Sequence, residues 1–138
     1  MNKSEIVKSI IEYVEQQLKC GDESLSLDKI AEKIGYSKFY LNRIFQEKVG
    51  ATIHKYIYER RLTEAAKKLV NTDKAIVDIA YETGYQSQQA FTNAFSTIYL
   101  CAPTKYRINK QYSPIRKAYQ LQSILWLYTY NKAVEVAA

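Results

Sequence analysis

The sequence predicts an all-α protein: two helix-turn-helix subdomains joined by a long linker helix, about seven helices in all, and an extra C-terminal tail. Three observations support this prediction. Prolines and glycines are few, 2 and 4 among 138 residues, which suits helices better than a turn-rich β fold. Apolar residues recur at helical spacing along most of the chain. A helix-glycine-helix pattern occurs twice, about 50 residues apart.

The duplicated pattern is specific in its residues. Residues 30–36 and residues 79–85 both consist of Ile-Ala, three variable residues and Gly-Tyr. The glycine lies where a left-handed turn is expected to end a helix. A serine follows each copy, Ser37 and Ser87, and is placed to cap a second helix. Each copy therefore has the organisation of a helix-turn-helix unit.

Three helices are predicted before the linker. Ser4 caps the first, which runs to about residue 18 with its apolar residues on one face. Ser26 caps the second, and Gly35 ends it. The third covers residues 38–48 and is ended by Gly50.

The linker helix is predicted at residues 53–70, where apolar residues keep helical spacing over about five turns. At ~1.5 Å per residue it spans ~27 Å. A polar break at residues 71–73 precedes a fifth helix at 76–83. A sixth helix follows Ser87 and runs to about residue 99, and a short seventh helix covers residues 105–109.

These elements divide the chain into a first subdomain at residues 1–52, the linker helix at 53–70, a second subdomain at 71–110 and a tail at 111–138. The tail is rich in apolar and aromatic residues between positions 120 and 136. Its apolar residues share a helix face, although part of the run is equally compatible with a strand.

The charge pattern favours an acidic partner. The net charge is +6 and the pI is about 9.2. Residues 33–68 carry nine basic and three acidic side chains, and residues 105–138 carry six and one. The basic excess therefore falls on the second helix of the first unit, on the linker and on the segment after the second unit.

Other classes of protein are disfavoured. Cys20 and Cys101 do not make a disulfide scaffold, so a reducing cytoplasm is predicted. The N-terminus lacks the apolar run of a signal peptide, and no window reaches the ~18 apolar residues of a membrane span. One histidine, His54, and two distant cysteines make no zinc site. No glycine-rich phosphate loop occurs, so we expect no enzyme activity, no metal and no cofactor.

The second helix of each unit presents a polar face that can read base edges in the major groove of DNA. Arginine pairs with guanine, asparagine and glutamine pair with adenine, and an aromatic or threonine side chain packs on the thymine methyl. The predicted base-reading residues are Phe39, Asn42, Arg43 and Gln46 in the first unit and Gln88, Gln89, Thr92 and Asn93 in the second. The second face is uncharged, so the first is expected to supply more of the electrostatic attraction.

The spacing of the two units predicts a two-groove binding mode. Successive major-groove segments on one face of B-DNA lie ~34 Å apart. A rigid helix of ~27 Å can hold two reading helices at about that separation, with some bending of the DNA. The protein is therefore expected to bind double-stranded DNA.

The ordered positions of both units, together with Gly50, Arg61-Leu62, Pro103 and Tyr106-Arg107, resemble the AraC/XylS family of bacterial transcription regulators. The resemblance covers residues 5–110 and is greatest for the short stand-alone MarA/SoxS/Rob type. It implies monomeric binding to an asymmetric promoter site, recruitment of RNA polymerase and activation of transcription near the bacterial nucleoid. The phosphate contacts predicted with it are Ser37, Lys38, Lys55, Arg60, Arg61, Ser87, Lys105 and Arg107.

The chain departs from the family pattern at four positions. Phe39 stands in place of a tryptophan, and Asn93 replaces an arginine that often contacts a base. Leu100 stands where the family usually has glycine or a polar residue, so the end of the sixth helix is expected to differ. Tyr58 replaces a basic residue of the linker helix.

Two alternatives remain open from the sequence. The domain can act chiefly as an interaction module for RNA polymerase or another regulator, with DNA contact secondary. The tail can form a homodimer interface through residues such as Trp126, fold back on the domain, or begin an effector-binding domain.

Overall fold

A computed structural model describes residues 1–20 and 25–116. These residues form seven α-helices, which follow in this order: α1 (Lys3–Lys19), α2 (Leu27–Ile34), α3 (Lys38–Val49), α4 (Ile53–Asn71), α5 (Ile76–Glu82), α6 (Gln88–Tyr99) and α7 (Pro103–Asn109). The all-helical class and the order of the predicted helices are confirmed. The helix or strand predicted within residues 120–136 lies outside the described residues.

The first helix is capped by Asn2, and the prediction of Ser4 as its cap is wrong. The side-chain oxygen of Asn2 accepts a hydrogen bond from the backbone N–H of Glu5 at 2.8 Å. The Glu5 carboxylate accepts one from the backbone N–H of Asn2 at 3.2 Å. This reciprocal capping box needs an acidic or amide side chain three residues after the cap. Asn2 has Glu5 at that position, whereas Ser4 has Val7.

One apolar core lies among α1, α2, α3 and the first two turns of α4. Phe45 and Tyr56 meet edge to face in it, with their ring centroids 5.4 Å apart. The buried members of this core are Ile6, Val7, Ile10, Ile11, Val14, Leu25, Ile30, Leu41, Ile44, Phe45, Val49, Ile53, Tyr56 and Ile57. This core holds α3 on the domain by its apolar face and leaves the opposite face outside.

A second apolar core lies among the last turns of α4 and helices α5, α6 and α7. Aromatic rings dominate it, and Phe95 contacts Phe91, Tyr99 and Tyr106. Its buried members are Leu62, Ala65, Ala66, Leu69, Ile79, Ala80, Phe91, Phe95 and Tyr106. It holds α6 in the same way as the first core holds α3.

The linker helix α4 passes from one core to the other between Ile57 and Leu62. Three polar side chains are buried along this part of the helix: Glu59, Arg60 and Thr63. We call these three residues the polar layer. Because they stand between the two apolar clusters, each half of the molecule keeps its own core.

Glycine is required at the turn inside each helix-turn-helix unit. Gly35 has a φ of 94° and Gly84 a φ of 91°, in the left-handed region that side chains disfavour. The residue that ends α6 also has a left-handed backbone, but it is not a glycine. Leu100 adopts a φ of 61° there, whereas Gly50, which ends α3, has a φ of 84°.

Residues 111–116 follow α7 and turn back onto the linker helix, where Arg116 contacts Glu59 and Thr63. Over residues 1–20 and 25–116, no helix combines the length and the apolar character that crossing a membrane requires.

Candidate nucleic-acid interface

The outer face of α3 is a shallow, open depression. Phe39, Asn42, Arg43 and Gln46 line it together with Glu47. The Phe39 ring is 79% exposed, and Arg43 and Gln46 are exposed as well. The inner side of the helix is fully buried, since Leu41, Ile44 and Phe45 have no solvent exposure.

Neighbouring groups hold the cations of this face in place. The Arg43 guanidinium carbon lies 5.5 Å from the centroid of the Tyr40 ring. The Lys38 ammonium lies 5.8 Å from the centroid of the Phe39 ring and 3.2 Å from a carboxylate oxygen of Asp28. Such cation–π contacts contribute about 0.5–1 kcal/mol at exposed sites. They favour an outward arrangement of both cations before any ligand arrives.

Asn42 has a structural contact that the sequence did not predict. It is half-buried, and its side-chain oxygen accepts a hydrogen bond from the backbone N–H of Ile53 at 3.0 Å. Reading adenine bidentately requires the amide to offer its oxygen and its NH₂ to the base together. The oxygen of Asn42 is directed at the start of α4, so this arrangement leaves only its NH₂ for a base.

The outer face of α6 matches that of α3 in position but not in charge. Gln88, Gln89 and Asn93 are exposed, and Thr92 is half-buried. The Gln89 amide donates a hydrogen bond to the side-chain oxygen of Asn93 at 2.9 Å. Between Glu82 and Lys105 there is no charged side chain. This face therefore offers hydrogen bonds without a fixed charge.

Both outer helices begin in the same way. The hydroxyl oxygen of Ser37 accepts a hydrogen bond from the backbone N–H of Tyr40, and that of Ser87 accepts one from Ala90. The predicted serine caps are confirmed. The first turns of α3 and α6 contain no acidic residue. The partial positive charge at each helix start is thus not neutralised from within, which favours an anion such as a phosphate.

Three of the predicted phosphate contacts are exposed lysines: Lys38, Lys55 and Lys105. The Lys55 ammonium is 3.8 Å from Glu59.

Arg61 is half-buried beneath the turn of the second unit. Its guanidinium carbon lies 3.2 Å from the position that a Cβ on Gly84 would occupy. Burial is the main cause that raises the pKa of the neighbouring Tyr85 to about 12, and the charge of Arg61 opposes it.

Arg60, another predicted phosphate contact, is buried and paired inside the protein. Its side chain is only 6% exposed. Its guanidinium donates two hydrogen bonds to Glu15, at 2.8 and 2.9 Å, and one to Glu64 at 2.8 Å. Burial acts to lower the pKa of Arg60, but the hydrogen bonds and charges of Glu15 and Glu64 outweigh it and raise the pKa. The charge of Arg60 is therefore neutralised by Glu15 and Glu64 inside the protein.

Arg107, also a predicted phosphate contact, is half-buried and bonded to α4. Its Nε–H donates a hydrogen bond to the backbone oxygen of Leu69, 3.0 Å away, near the end of α4. Its Nη2 atom is buried without a hydrogen-bond partner among the described residues. The side chain therefore joins α7 to the end of α4, where helix carbonyls attract a cation.

Within residues 1–20 and 25–116, no group of three or more His, Cys, Asp or Glu side chains is placed to hold a metal ion.

Comparisons with known proteins agree with this geometry. A family profile described as a helix-turn-helix domain matches residues 30–109. The regulatory protein SoxS of Salmonella typhimurium is 38% identical over 107 residues, which are 78% of this chain and 97% of SoxS. The transposon Tn10 TetD protein of Escherichia coli is 42% identical over 105 residues, covering 76% of this chain and 74% of TetD.

A solved structure from Chromobacterium violaceum has the same fold. It is described as a transcriptional regulator that contains an AraC-type DNA-binding domain. Its TM-score is 0.63 at 28% identity, and the match covers 75% of this chain and 93% of that chain. The chain belongs to the AraC/XylS family. The resemblance that the sequence motifs carried is thereby confirmed.

In this AraC/XylS protein, two structural contacts do not follow from the sequence motifs: Asn42 with Ile53 and Arg116 with Glu59. The position of Asn42 on the outer face of α3 predicts a base-reading residue. No sequence pattern predicts its hydrogen bond to Ile53, eleven residues later. Arg116 lies outside the family motif and was not considered, although it contacts Glu59 across 57 positions of the sequence. Its place shortly after α7 gives no local pattern that points to Glu59.

Proposed function

We propose that this protein is a sequence-specific DNA-binding activator of transcription that reads two adjacent major-groove segments of a promoter. One observation carries the proposal. The outer faces of α3 and α6, both polar and both begun by a serine cap, are attached to opposite halves of one continuous helix, α4. That helix has 19 residues, which corresponds to about 29 Å, close to the ~34 Å between successive major-groove segments.

In this proposal the residues divide into three groups. Base edges are read by Phe39, Arg43 and Gln46 on α3 and by Gln88, Gln89, Thr92 and Asn93 on α6. Phosphates are contacted by Ser37, Lys38, Lys55, Arg61, Ser87 and Lys105. Asn42 acts through its hydrogen bond to Ile53, which sets the orientation of α3.

The two half-sites contribute unequally. Lys38, Arg43 and Lys48 give α3 three cations, whereas α6 has none. Cations that neutralise phosphates supply most of the sequence-independent affinity. The half-site under α3 therefore supplies most of the affinity, and the half-site under α6 supplies selectivity through amide hydrogen bonds.

The remaining parts of the proposal concern organisation and partners. Residues 1–52 and 71–110 are the two helix-turn-helix subdomains, with the linker helix at 53–70 between them and the tail at 111–138 after them. The protein binds its promoter as a monomer in the cytoplasm, at the nucleoid, and recruits RNA polymerase. SoxS, which matches over 97% of its length, supports a role in regulation rather than in catalysis.

Selection of bound sites from a random duplex library tests this proposal. We expect one preferred site that contains two half-sites about one helical turn apart, with an affinity that falls steeply as salt rises. Arg43→Ala should weaken binding about 5- to 150-fold and relax the preference at one base position. Lys8→Ala is the matched control, because Lys8 is an exposed cation on α1, and it should retain the preference. Enrichment of no sequence by the unmodified protein would overturn the proposal.

A further inference from the structure

The polar layer of α4 is buried between the two apolar cores. Thr63 is 1% exposed, Arg60 5% and Glu59 9%. Buried polar groups are costly unless each has a partner. Some partners of this layer lie on α4, where Thr63 donates to the backbone oxygen of Glu59 and Arg60 donates to Glu64. The others come from α1 on one side and from Arg116 on the other.

Residues 113–116 close the polar layer through Arg116. Its backbone N–H donates a hydrogen bond to the hydroxyl of Thr63 at 3.0 Å. Its backbone oxygen accepts one from Arg60 at 3.1 Å. Its side-chain Nε–H donates to the Glu59 carboxylate at 2.9 Å, and this ion pair is largely buried. All three residues of the layer are thus bonded to one residue of the returning segment.

The same segment is bonded to the second subdomain. The backbone N–H of Ser113 donates to the hydroxyl of Tyr106 on α7 at 2.8 Å. The backbone oxygen of Ser113 accepts a hydrogen bond from the hydroxyl of Tyr99 on α6 at 2.9 Å. Tyr99 and Tyr106 pack on Phe95 in the second core. The segment is therefore anchored to the body that carries α6.

Arg60 extends the connection to the first subdomain. While it donates to Arg116, it also donates to both carboxylate oxygens of Glu15 on α1. Glu15 in turn accepts a hydrogen bond from the hydroxyl of Tyr56, a member of the first core. A continuous chain of hydrogen bonds therefore runs from the first core, through the polar layer, to the returning segment and the second core.

We infer that residues 111–116 are a strap that fixes the separation and orientation of α3 and α6, and that Arg116 is a positioning residue for two-groove DNA binding. This inference rests on the proposed function. A single helix permits bending and twisting between the bodies at its ends. A second connection outside the helix axis removes that freedom. When two reading elements are linked rigidly, their joint affinity is high only for sites whose spacing matches.

The test measures how strictly half-site spacing is read. The full chain is titrated against the preferred duplex and against duplexes with one base pair added or removed between the half-sites. We expect the unmodified protein to bind the altered duplexes at least about tenfold more weakly, because a rigid pair cannot engage both half-sites. Arg116→Ala and Glu59→Gln should reduce this ratio to about threefold or less. The affinity of both variants for a duplex with only the α3 half-site should be unchanged.

Lys110→Gln serves as the matched control. It removes a nearby exposed cation that has no part in the strap, and it should keep the spacing ratio of the unmodified protein. Circular dichroism establishes that each variant is folded, and Glu59→Gln keeps a side chain of the same size if Arg116→Ala does not fold. An unchanged spacing ratio in the folded Arg116→Ala and Glu59→Gln variants overturns the strap. Absence of specific binding by the unmodified protein overturns the proposed function instead.

Discussion

Asn42 on α3 and Ile53 at the start of α4 are joined by a hydrogen bond of 3.0 Å between the asparagine side-chain oxygen and the backbone N–H. The first N–H groups of a helix have no partner within the helix. Thr52 caps α4 by accepting a bond from Lys55, and Asn42 accepts from a different N–H of the same turn. The outer helix α3 is therefore fixed directly to the first turn of the linker helix.

Removing this contact should destabilise the protein. Asn42→Ala is expected to lower the free energy of unfolding by about 1 kcal/mol, as loss of a helix-capping hydrogen bond does. Asn42→Asp keeps an oxygen acceptor beside the positive end of α4 and should stay within about 0.5 kcal/mol of the unmodified protein. Urea unfolding followed by circular dichroism measures both. Equal stability of all three proteins would show that the contact contributes nothing.

Gly84→Ala should cost more stability than Gly35→Ala. Both glycines have positive φ, so alanine adds about 1–2 kcal/mol of backbone strain at either position. A Cβ on Gly35 meets no atom within 4 Å, whereas one on Gly84 lies 3.2 Å from Arg61. Since a flexible guanidinium can shift, the extra cost at Gly84 should be small, about 0.5 kcal/mol.

A double-mutant cycle measures this extra cost. Combining Gly84→Ala with Arg61→Ala should remove it and leave only the backbone strain. If the cycle gives no coupling between the two positions, the contact between Arg61 and the second turn is not significant.

Replacing Leu100 by glycine should stabilise the protein. Leu100 ends α6 with a φ of 61° and its side chain is 86% exposed, so it has backbone strain and little packing. Leu100→Gly is expected to raise the free energy of unfolding by about 0.5–1 kcal/mol. Leu100→Ala is the matched control, because it removes the exposed side chain and keeps the strain. A stabilisation by alanine equal to that by glycine would assign the effect to the side chain instead.

The ion pairs of Glu82 with Lys68 on α4 and with Lys74 in the following loop should make stability depend on acid pH. Hydrogen bonds from Lys74 and Lys68 hold the pKa of Glu82 below its ordinary value of 4.5. A carboxylate with a lowered pKa in the folded state stabilises fully above its ordinary pKa and loses that contribution as the pH falls through the folded value. The loss therefore belongs below about pH 4.5.

Glu82→Gln tests this dependence. Because the pairs are partly exposed, the variant should lose only about 0.5 kcal/mol of stability at pH 7. The difference from the unmodified protein should vanish in acid, where Glu82 is protonated in both states. Glu32→Gln, at an exposed position of α2, should follow the unmodified protein at every pH. A difference for Glu82→Gln that does not shrink as the pH falls below 4.5 would contradict the assignment.

The helices and turns were predictable because their signals are local. Serine caps, glycines with positive φ and apolar spacing act over a few residues, and α2, α3 and α6 begin and end close to the predicted positions. The cap of α1 was misplaced by two residues, since Ser4 and Asn2 are both favourable cap residues and only Asn2 has an acid three positions later.

The functions of individual polar residues were less predictable because they depend on partners far along the chain. Arg60 and Arg61 are adjacent in a basic segment, yet Arg60 meets Glu15, 45 residues away, and is buried. Asn42 has the helix position of a base-reading residue but is held by Ile53. In both cases, tertiary packing selects one residue from a group that the sequence treats as equivalent.

The polar layer between the two apolar cores also has an evolutionary consequence. A substitution inside one core changes the fit of its own three helices without requiring a compensating change in the other. The outer face of α3 or of α6 can then accumulate substitutions while the other face stays unchanged. The uncharged face of α6 and the basic face of α3 can therefore change independently of each other.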